Sequence, residues 1–231
     1  MSKLIRTDEE HGAWYPVPIS KLEAYMAKYI ESGHAYKNSY TLKKDLAYNL
    51  QYLQFQYRII LDIKLSSVIY TQTIKTIILV SCSIIESLLH YSLIIKDVHS
   101  NTEWSQKALF KGNQKKLDGE FVRIDTTIYS KLSKKQLKHM TFDAMIKSAK
   151  SHSIFGSRTL MYERLETLRI LRNRVHLQPS DDKFGTDWIV FTTDRLNETF
   201  SVMYSILTSS LFKPTNTEKQ YFEYLSKQYG A

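Results

Sequence analysis

Cysteine occurs once in the chain, at Cys82, which excludes an intramolecular disulfide and any cysteine-rich zinc motif. It lies in an apolar run and reads as a small buried hydrophobe. Proline is nearly as scarce, with four residues at positions 16, 18, 179 and 214, so none interrupts Ile19 to Gln178. Proline removes a backbone donor and clashes with the preceding helical turn, so this gap permits long helices. The seven glycines form no phosphate-cradling loop, and neither a GxSxG elbow nor an HExxH motif occurs. The opening residues MSKLIRTDEEHG carry acids early and lack the apolar stretch of a secretory leader, so cytoplasmic residence is expected.

What is present is enough apolar content, 43% of 231 residues, to bury a substantial core. Thr76 to Ile95 has the length of a membrane span, but it contains Glu86, His90 and four serines. A charge near the bilayer centre costs about 2.5–3.5 kcal/mol. On a helix, Gln72, Thr76, Ser83, Glu86, Ser87 and His90 fall within an arc of about 100°. The segment therefore reads as a core helix with a polar stripe, and no membrane partner is expected. Charge is uneven: the chain carries +9, and Ser105–Lys150 alone has eleven Lys/Arg against four Asp/Glu. Lys107, Lys111, Lys115, Lys116, Lys131, Lys134, Lys135 and Lys138 supply most of it. Such a block attracts polyanions, nucleic acid above all; a solvated lysine-rich surface is the other reading. Lys131, Lys134, Lys135 and Lys138 are the candidate substrate-binding set.

Along the chain, Ser20-Lys21-Leu22-Glu23 reads as a capping box opening a helix that stops near Gly33. A second helical pattern runs from Asn38 to about Ser66, with Leu46, Leu50, Leu53 and Tyr57 spaced by three and four. A third spans about Tyr70 to Lys96. The stretch 99–140 is the least regular; Gly112-Asn113 and Asp118-Gly119 are turn signals, and Glu120 to Tyr129 reads as a short strand pair or an extended loop. Thr141 starts a short helix to about His152, and Gly156-Ser157 opens the next. Trp188 to Phe191 reads as extended, Thr193-Asp194 caps a helix to about Leu211, and a terminal helix covers Thr217 to Gln228.

The helix from Ser157 to His176 carries the chemistry. Leu160, Met161, Leu165, Leu168, Leu171 and Val175 share an arc of roughly 140° and are expected to face the core. Arg169, Arg172, Asn173 and His176 occupy an adjoining arc of about 100°. Guanidinium groups match phosphate bidentately and stabilise charge developing on it, while imidazole moves protons near neutral pH. Glu86, on the polar stripe of the third helix, is the candidate carboxylate to orient them. Basic side chains near a helix C-terminus are also favoured by the macrodipole alone, a purely structural role.

Leu168-Arg169-Ile170-Leu171-Arg172-Asn173-Arg174-Val175-His176-Leu177 resembles the signature of HEPN domains, in which an arginine followed by a polar residue precedes a histidine at a helix end. Ile84-Ile85-Glu86-Ser87-Leu88-Leu89-His90-Tyr91 is similar to the family's acid-bearing earlier helix, and Thr141-Phe142-Asp143-Ala144-Met145-Ile146 to the segment leading into the motif helix. The family spaces arginine and histidine by four to six residues; Arg172 leaves three before His176 and Arg169 leaves six, so both assignments stand. The resemblance covers about residues 70–212. It implies an all-α, HEPN-like bundle of long antiparallel helices. Around it the residue pattern reads as an N-terminal helical extension over 1–69, a short irregular or β-like insert around 115–130 and a C-terminal helix over 213–231, all expected to pack as one compact domain.

The resemblance further implies a homodimer with both motifs facing a shared cleft. Catalytic members are metal-independent endoribonucleases of toxin–antitoxin, abortive-infection and other defence systems. In that role His176 acts as acid/base, Arg172 or Arg169 holds the scissile phosphate, and Asn173 and Glu86 orient the site. RNA and an antitoxin or other defence-system protein are the implied partners, with no cofactor and no metal. The alternative is a non-catalytic HEPN-like module for dimerisation or for binding a nucleotide or partner protein. Two further patterns have structural readings: Glu86 and His90, four apart, suit half a metal site or core polar pairing. The tyrosines between 25 and 57 suit base stacking or, given their helical spacing, packing.

Overall fold

The proline-poor stretch folds into long helices. In the computed structural model, which describes residues 15–31, 36–156, 159–175 and 185–226, α1 spans Ile19–Ala27, α2 Ser39–Asp62 and α3 Ser67–Ile95. Later in the chain come α4 (Phe142–Ser151), α5 (Thr159–Asn173), the single turn α6 (Asp187–Val190), α7 (Thr193–Leu207), α8 (Asn216–Gln220) and a 3-10 turn at Glu223–Leu225. The chain divides into a helical unit, 1–98 with 142–231, and a second unit, 99–141.

That second unit overturns the all-α expectation. β1 (Asn101–Lys111) pairs antiparallel with β4 (Asp125–Leu137), and between them β2 (Lys115–Leu117) pairs with β3 (Glu120–Val122). The protein is mixed α and β: among the described residues about 58% are helical and 16% lie in strands. Instead of a short insert around 115–130, the ladder takes in strands of 11 and 13 residues. β-branched and aromatic residues such as Thr126, Thr127, Ile128 and Tyr129 suit a pleated surface; their partners lie far off in sequence and are interleaved with lysines. Asp118 (φ 47°) and Gly119 (φ 89°) close the tip as a two-residue turn with both residues left-handed, the hairpin geometry that Asp-Gly favours. Gly112 is required for space: its N–H donates to the Ile124 carbonyl at 3.2 Å, and a Cβ there would stand 2.2 Å from that oxygen.

In the helical unit, α3 is the central element, burying Ile74, Ile77, Ile78, Cys82, Ile84, Ile85, Leu88, Leu89 and Leu93. It is the one described helix long and apolar enough to cross a membrane, yet 61% of its most apolar window is buried inside the protein. The polar stripe stays at its margin: Gln72 and Ser83 are exposed, and Thr76, Glu86, Ser87 and His90 are half-buried. In α2, Leu46, Leu50, Leu53 and Tyr57 are buried as their spacing predicts.

The termini of the unit join through aromatic packing. Tyr25 stacks on Phe212 at 5.3 Å between centroids and tilts against Phe222 at 4.9 Å, while Tyr29 meets Phe212 at 5.1 Å and Tyr91 edge-on at 5.4 Å. The Tyr25 hydroxyl donates to the Leu207 carbonyl and the Tyr29 hydroxyl to Ser92 Oγ at 2.8 Å. Each such ring pair contributes about 0.5–1.5 kcal/mol beyond area burial. Tyr25, Tyr29 and Tyr57 are thus core residues, whereas Tyr40, Tyr48 and Tyr52 are exposed.

Several element ends differ from the sequence reading. α1 is capped by the Pro18 backbone and not by a box at Ser20; Lys21 and Leu22 donate to the Pro18 carbonyl, and the Glu23 carboxylate accepts from Lys44 at 2.9 and 3.0 Å. The expected stop at Gly33 lies outside the described residues. Residues 187–190 form the turn α6 and not an extended segment. α7 is capped by Thr192, whose hydroxyl accepts from the Arg195 N–H, and it ends at Leu207. The terminal helix is short, starting with a capping box between Thr215 and Glu218.

Candidate functional site

α3, α4 and α5 pack against one another, and two of the polar residues singled out in sequence, Glu86 and Arg172, meet between α3 and α5. The Met161, Leu165, Leu168 and Leu171 side chains are buried, which fixes the angle at which α5 presents its other faces; Leu160 and Val175, expected in the same stripe, are exposed at the two ends. Cys82 Sγ lies 3.5 Å from the Leu168 carbonyl oxygen, tying α3 to α5 in the core. Burial pushes its thiol up to about 12, with Glu86 adding to the effect and Arg172 opposing it, so no thiolate forms near neutral pH.

One turn along, Arg172 Nη2 donates to Glu86 Oε2 at 3.2 Å. The pairing of Glu86 with the motif helix is therefore present, through Arg172. Arg169 turns to another carboxylate: its Nε stands 3.3 Å from Asp143 Oδ1 on α4, close enough for charge attraction but not aligned for a hydrogen bond. Asp143 also pairs with Lys147 at 2.7 Å. The hydrogen bond from Lys147 chiefly holds the Asp143 carboxyl below its ordinary value; partial burial opposes it, and the charges of Lys147 and Arg169 assist. Asp143 is a residue that sequence reasoning placed only in a lead-in segment; its recurrence opposite Arg169 needs the packing of α4 on α5 to be seen.

The motif helix is shorter than expected. α5 ends at Asn173, and the next two amides donate only three residues back, Arg174 to Leu171 and Val175 to Arg172, the tightened bonding common at helix ends. Asn173 is exposed. Arg174, which lies off the motif face, makes its own contacts: its guanidinium donates to the Gly185 carbonyl and its Nε is 3.7 Å from Asp187 Oδ1. Asp187 in turn accepts from the buried Lys75 at 2.8 Å and from Gln72 at 3.4 Å. This cluster joins α3, the end of α5 and α6. His176 lies outside the described residues.

The remaining expected residues sit apart from this constellation. Lys131, Lys134, Lys135 and Lys138 belong to the β unit and are all exposed, with Lys135 3.3 Å from Glu103. Of the pair four apart on α3, Glu86 is paired with Arg172 and the His90 ring packs edge-on to Tyr36 with 6.0 Å between centroids. Among the described residues no group of three or more His, Cys, Asp or Glu stands close enough to hold a metal ion. A cleft of about 550 Å³ opens elsewhere in the helical unit, lined by Arg164, Asp194, Asn197, Glu198 and Ser201 among others; the sequence reading named only Asp194 of these, and that as a helix cap.

The arrangement offers two guanidinium groups, each backed by a carboxylate, beside an exposed amide at the end of a helix. Such a group can hold a phosphate between fixed charges. Comparison with protein-family models, with characterised proteins and with solved structures finds no match to this chain.

Proposed function

We propose that this protein is a HEPN-like, metal-independent endoribonuclease, acting as a cytoplasmic homodimer in bacterial defence or a toxin–antitoxin system. The observation that carries the reading is that, on α5, Arg172 pairs with Glu86 of α3 and Arg169 with Asp143 of α4. They come from the three segments whose sequences resemble the family, in the same order. On this reading Arg172 or Arg169 holds the scissile phosphate. The ribose 2′-oxygen attacks phosphorus, its proton passes to a base, and the 5′-oxygen departs with a proton from an acid. His176 serves in these transfers, and Asn173 and Glu86 orient the groups. The products are a 2′,3′-cyclic phosphate and a 5′-hydroxyl. Lys131, Lys134, Lys135 and Lys138 contribute charge attraction for the polyanion.

A second reading, a non-catalytic module that dimerises or binds a nucleotide or partner protein such as an antitoxin, is favoured by one feature. Both arginines are already neutralised by carboxylates, and a phosphate must compete with Glu86 and Asp143 for them. Incubation of structured and single-stranded RNA with wild type and His176→Ala in EDTA separates the two. The nuclease reading expects cleavage in EDTA, cyclic phosphate ends, and a loss of about 100-fold or more in the variant. RNA left intact by wild type at high enzyme concentration sinks it.

A further inference from the structure

We infer that one face of the β1–β4 ladder binds single-stranded nucleic acid, with Trp104 and Tyr129 stacking on bases and Lys131 and Lys111 meeting phosphates. The register sets this face. Trp104 lies opposite Lys131, and Gln106 opposite Tyr129. Directly opposed residues point to the same side and residues two apart share it, so Trp104, Gln106, Tyr129 and Lys131 form one continuous patch. Leu109 opposite Thr127 and Lys111 opposite Asp125 continue it beyond a bulge in which Lys107 is the extra residue. The reverse face carries Ser105 and Ser130, then Ala108 with Ile128 and Phe110 with Thr126.

Three observations select the occupant. Trp104 is 54% exposed and Tyr129 55%, and in 99–141 only His99 is buried. The rings are therefore not spent on a core, and a two-stranded ladder gains little from leaving them in water. The unit carries nine Lys/Arg against four Asp/Glu. That charge complements a polyanion and opposes pairing with the same unit of a second copy. Aromatic rings set beside lysines on one face provide stacking platforms and phosphate contacts together, which suits unpaired bases and tolerates any sequence; paired bases keep their faces covered. The inference goes beyond the cleavage reading and rests on it only in taking RNA as the first probe.

The test measures binding, not cleavage, on the full chain carrying His176→Ala. Fluorescence anisotropy is read with a labelled single-stranded RNA, the same sequence as DNA, and the RNA duplex. Anionic phospholipid vesicles serve as a separate arm. Tight binding of a single strand is expected, weakened about tenfold by Trp104→Ala and again by Tyr129→Ala. Phe110→Ser on the reverse face is expected to change it less than twofold. Lys131→Gln is expected to lower the slope of log affinity against log salt by about 0.7. Circular dichroism of each variant checks that the ladder persists. RNA bound better than DNA, or both bound equally, supports the inference; DNA alone bound supports it while counting against an RNA substrate. No single-strand binding, duplex binding indifferent to Trp104 and Tyr129, equal loss with Phe110→Ser, or vesicle binding without oligonucleotide binding overturns it. Cleavage by the His176 form without measurable dependence on Trp104 or Tyr129 leaves the nuclease reading standing and removes this one.

Discussion

Arg172 and Glu86 show how little a residue pair need contribute to the fold while standing at the centre of a candidate site. The Arg172 side chain is 41% exposed and that of Glu86 26%, so the attraction is screened and pairs of this kind contribute about 0–1 kcal/mol. Glu86→Gln is therefore expected to leave chemical denaturation almost unchanged. On the nuclease reading the same variant loses about tenfold or more in cleavage rate, because an unbraced Arg172 samples orientations that miss the phosphate. Equal falls in stability and activity would mark the pair as structural. At the residue scale, two polar arcs on two amphipathic helices offered Glu86 as a carboxylate for the motif helix but left open which residue it would meet; the packing of α3 on α5 gives it Arg172. Arg174 was not singled out because it lies about 200° around the helix from Arg172, and its partners, the Gly185 carbonyl and Asp187, are far off in sequence.

Elements were legible where their signals are local. The spacing of Leu46, Leu50, Leu53 and Tyr57 predicts the buried face of α2, and the apolar run of α3 predicts a core helix, because both depend on neighbours within two turns. The β1–β4 ladder was not legible, since Trp104 meets Lys131 and Leu109 meets Thr127 across a long separation, and two register shifts blur the alternation that marks a strand. Thr192, not Thr193, caps α7 for a similar reason: which hydroxyl reaches a free amide depends on the path of the loop before it. Gly112 provides the test at this scale. Gly112→Ala drives a Cβ into the Ile124 carbonyl, so hydrogen exchange is expected to quicken at Gly112 and the adjoining amides while β1 amides nearer Asn101 keep their protection. Unchanged exchange at Gly112 would show that the approach relaxes at no cost.

At the scale of the whole molecule, the first helix and the aromatic residues that follow α7 hold each other. Phe212 is fully buried and touches both Tyr25 and Tyr29, and the buried Phe222 packs on Tyr25, so α1 and the segment around Phe222, which lie outside the family resemblance, are part of the same core. Phe212→Ala is expected to cost about 3–5 kcal/mol and to lower Tm by roughly 10 °C for a chain of this size, measured by thermal denaturation. The Lys75, Asp187 and Arg174 cluster makes a second long-range tie, and it is sensitive to acid. Burial pushes the Asp187 carboxyl up, but Lys75, Gln72 and Arg174 together outweigh it and leave it below its ordinary value. A depressed carboxyl contributes stability that is complete above the unfolded value, about 3.9, and that drains away as pH falls through the folded one. Asp187→Ala is thus expected to cost about 2–3 kcal/mol at pH 7, since it strands a buried Lys75. The gap to wild type closes only below about pH 3.9; a gap independent of pH would refute the assignment.

The buried state of Cys82 has a practical corollary. With its thiol pushed up to about 12 and no other cysteine in the chain, the native protein is a chemical blank toward thiol reagents. A cysteine introduced at the exposed Asn173 would then be the sole site of labelling in each copy. On the homodimer reading, spin labels attached there would report how far apart the ends of the two α5 helices stand in solution.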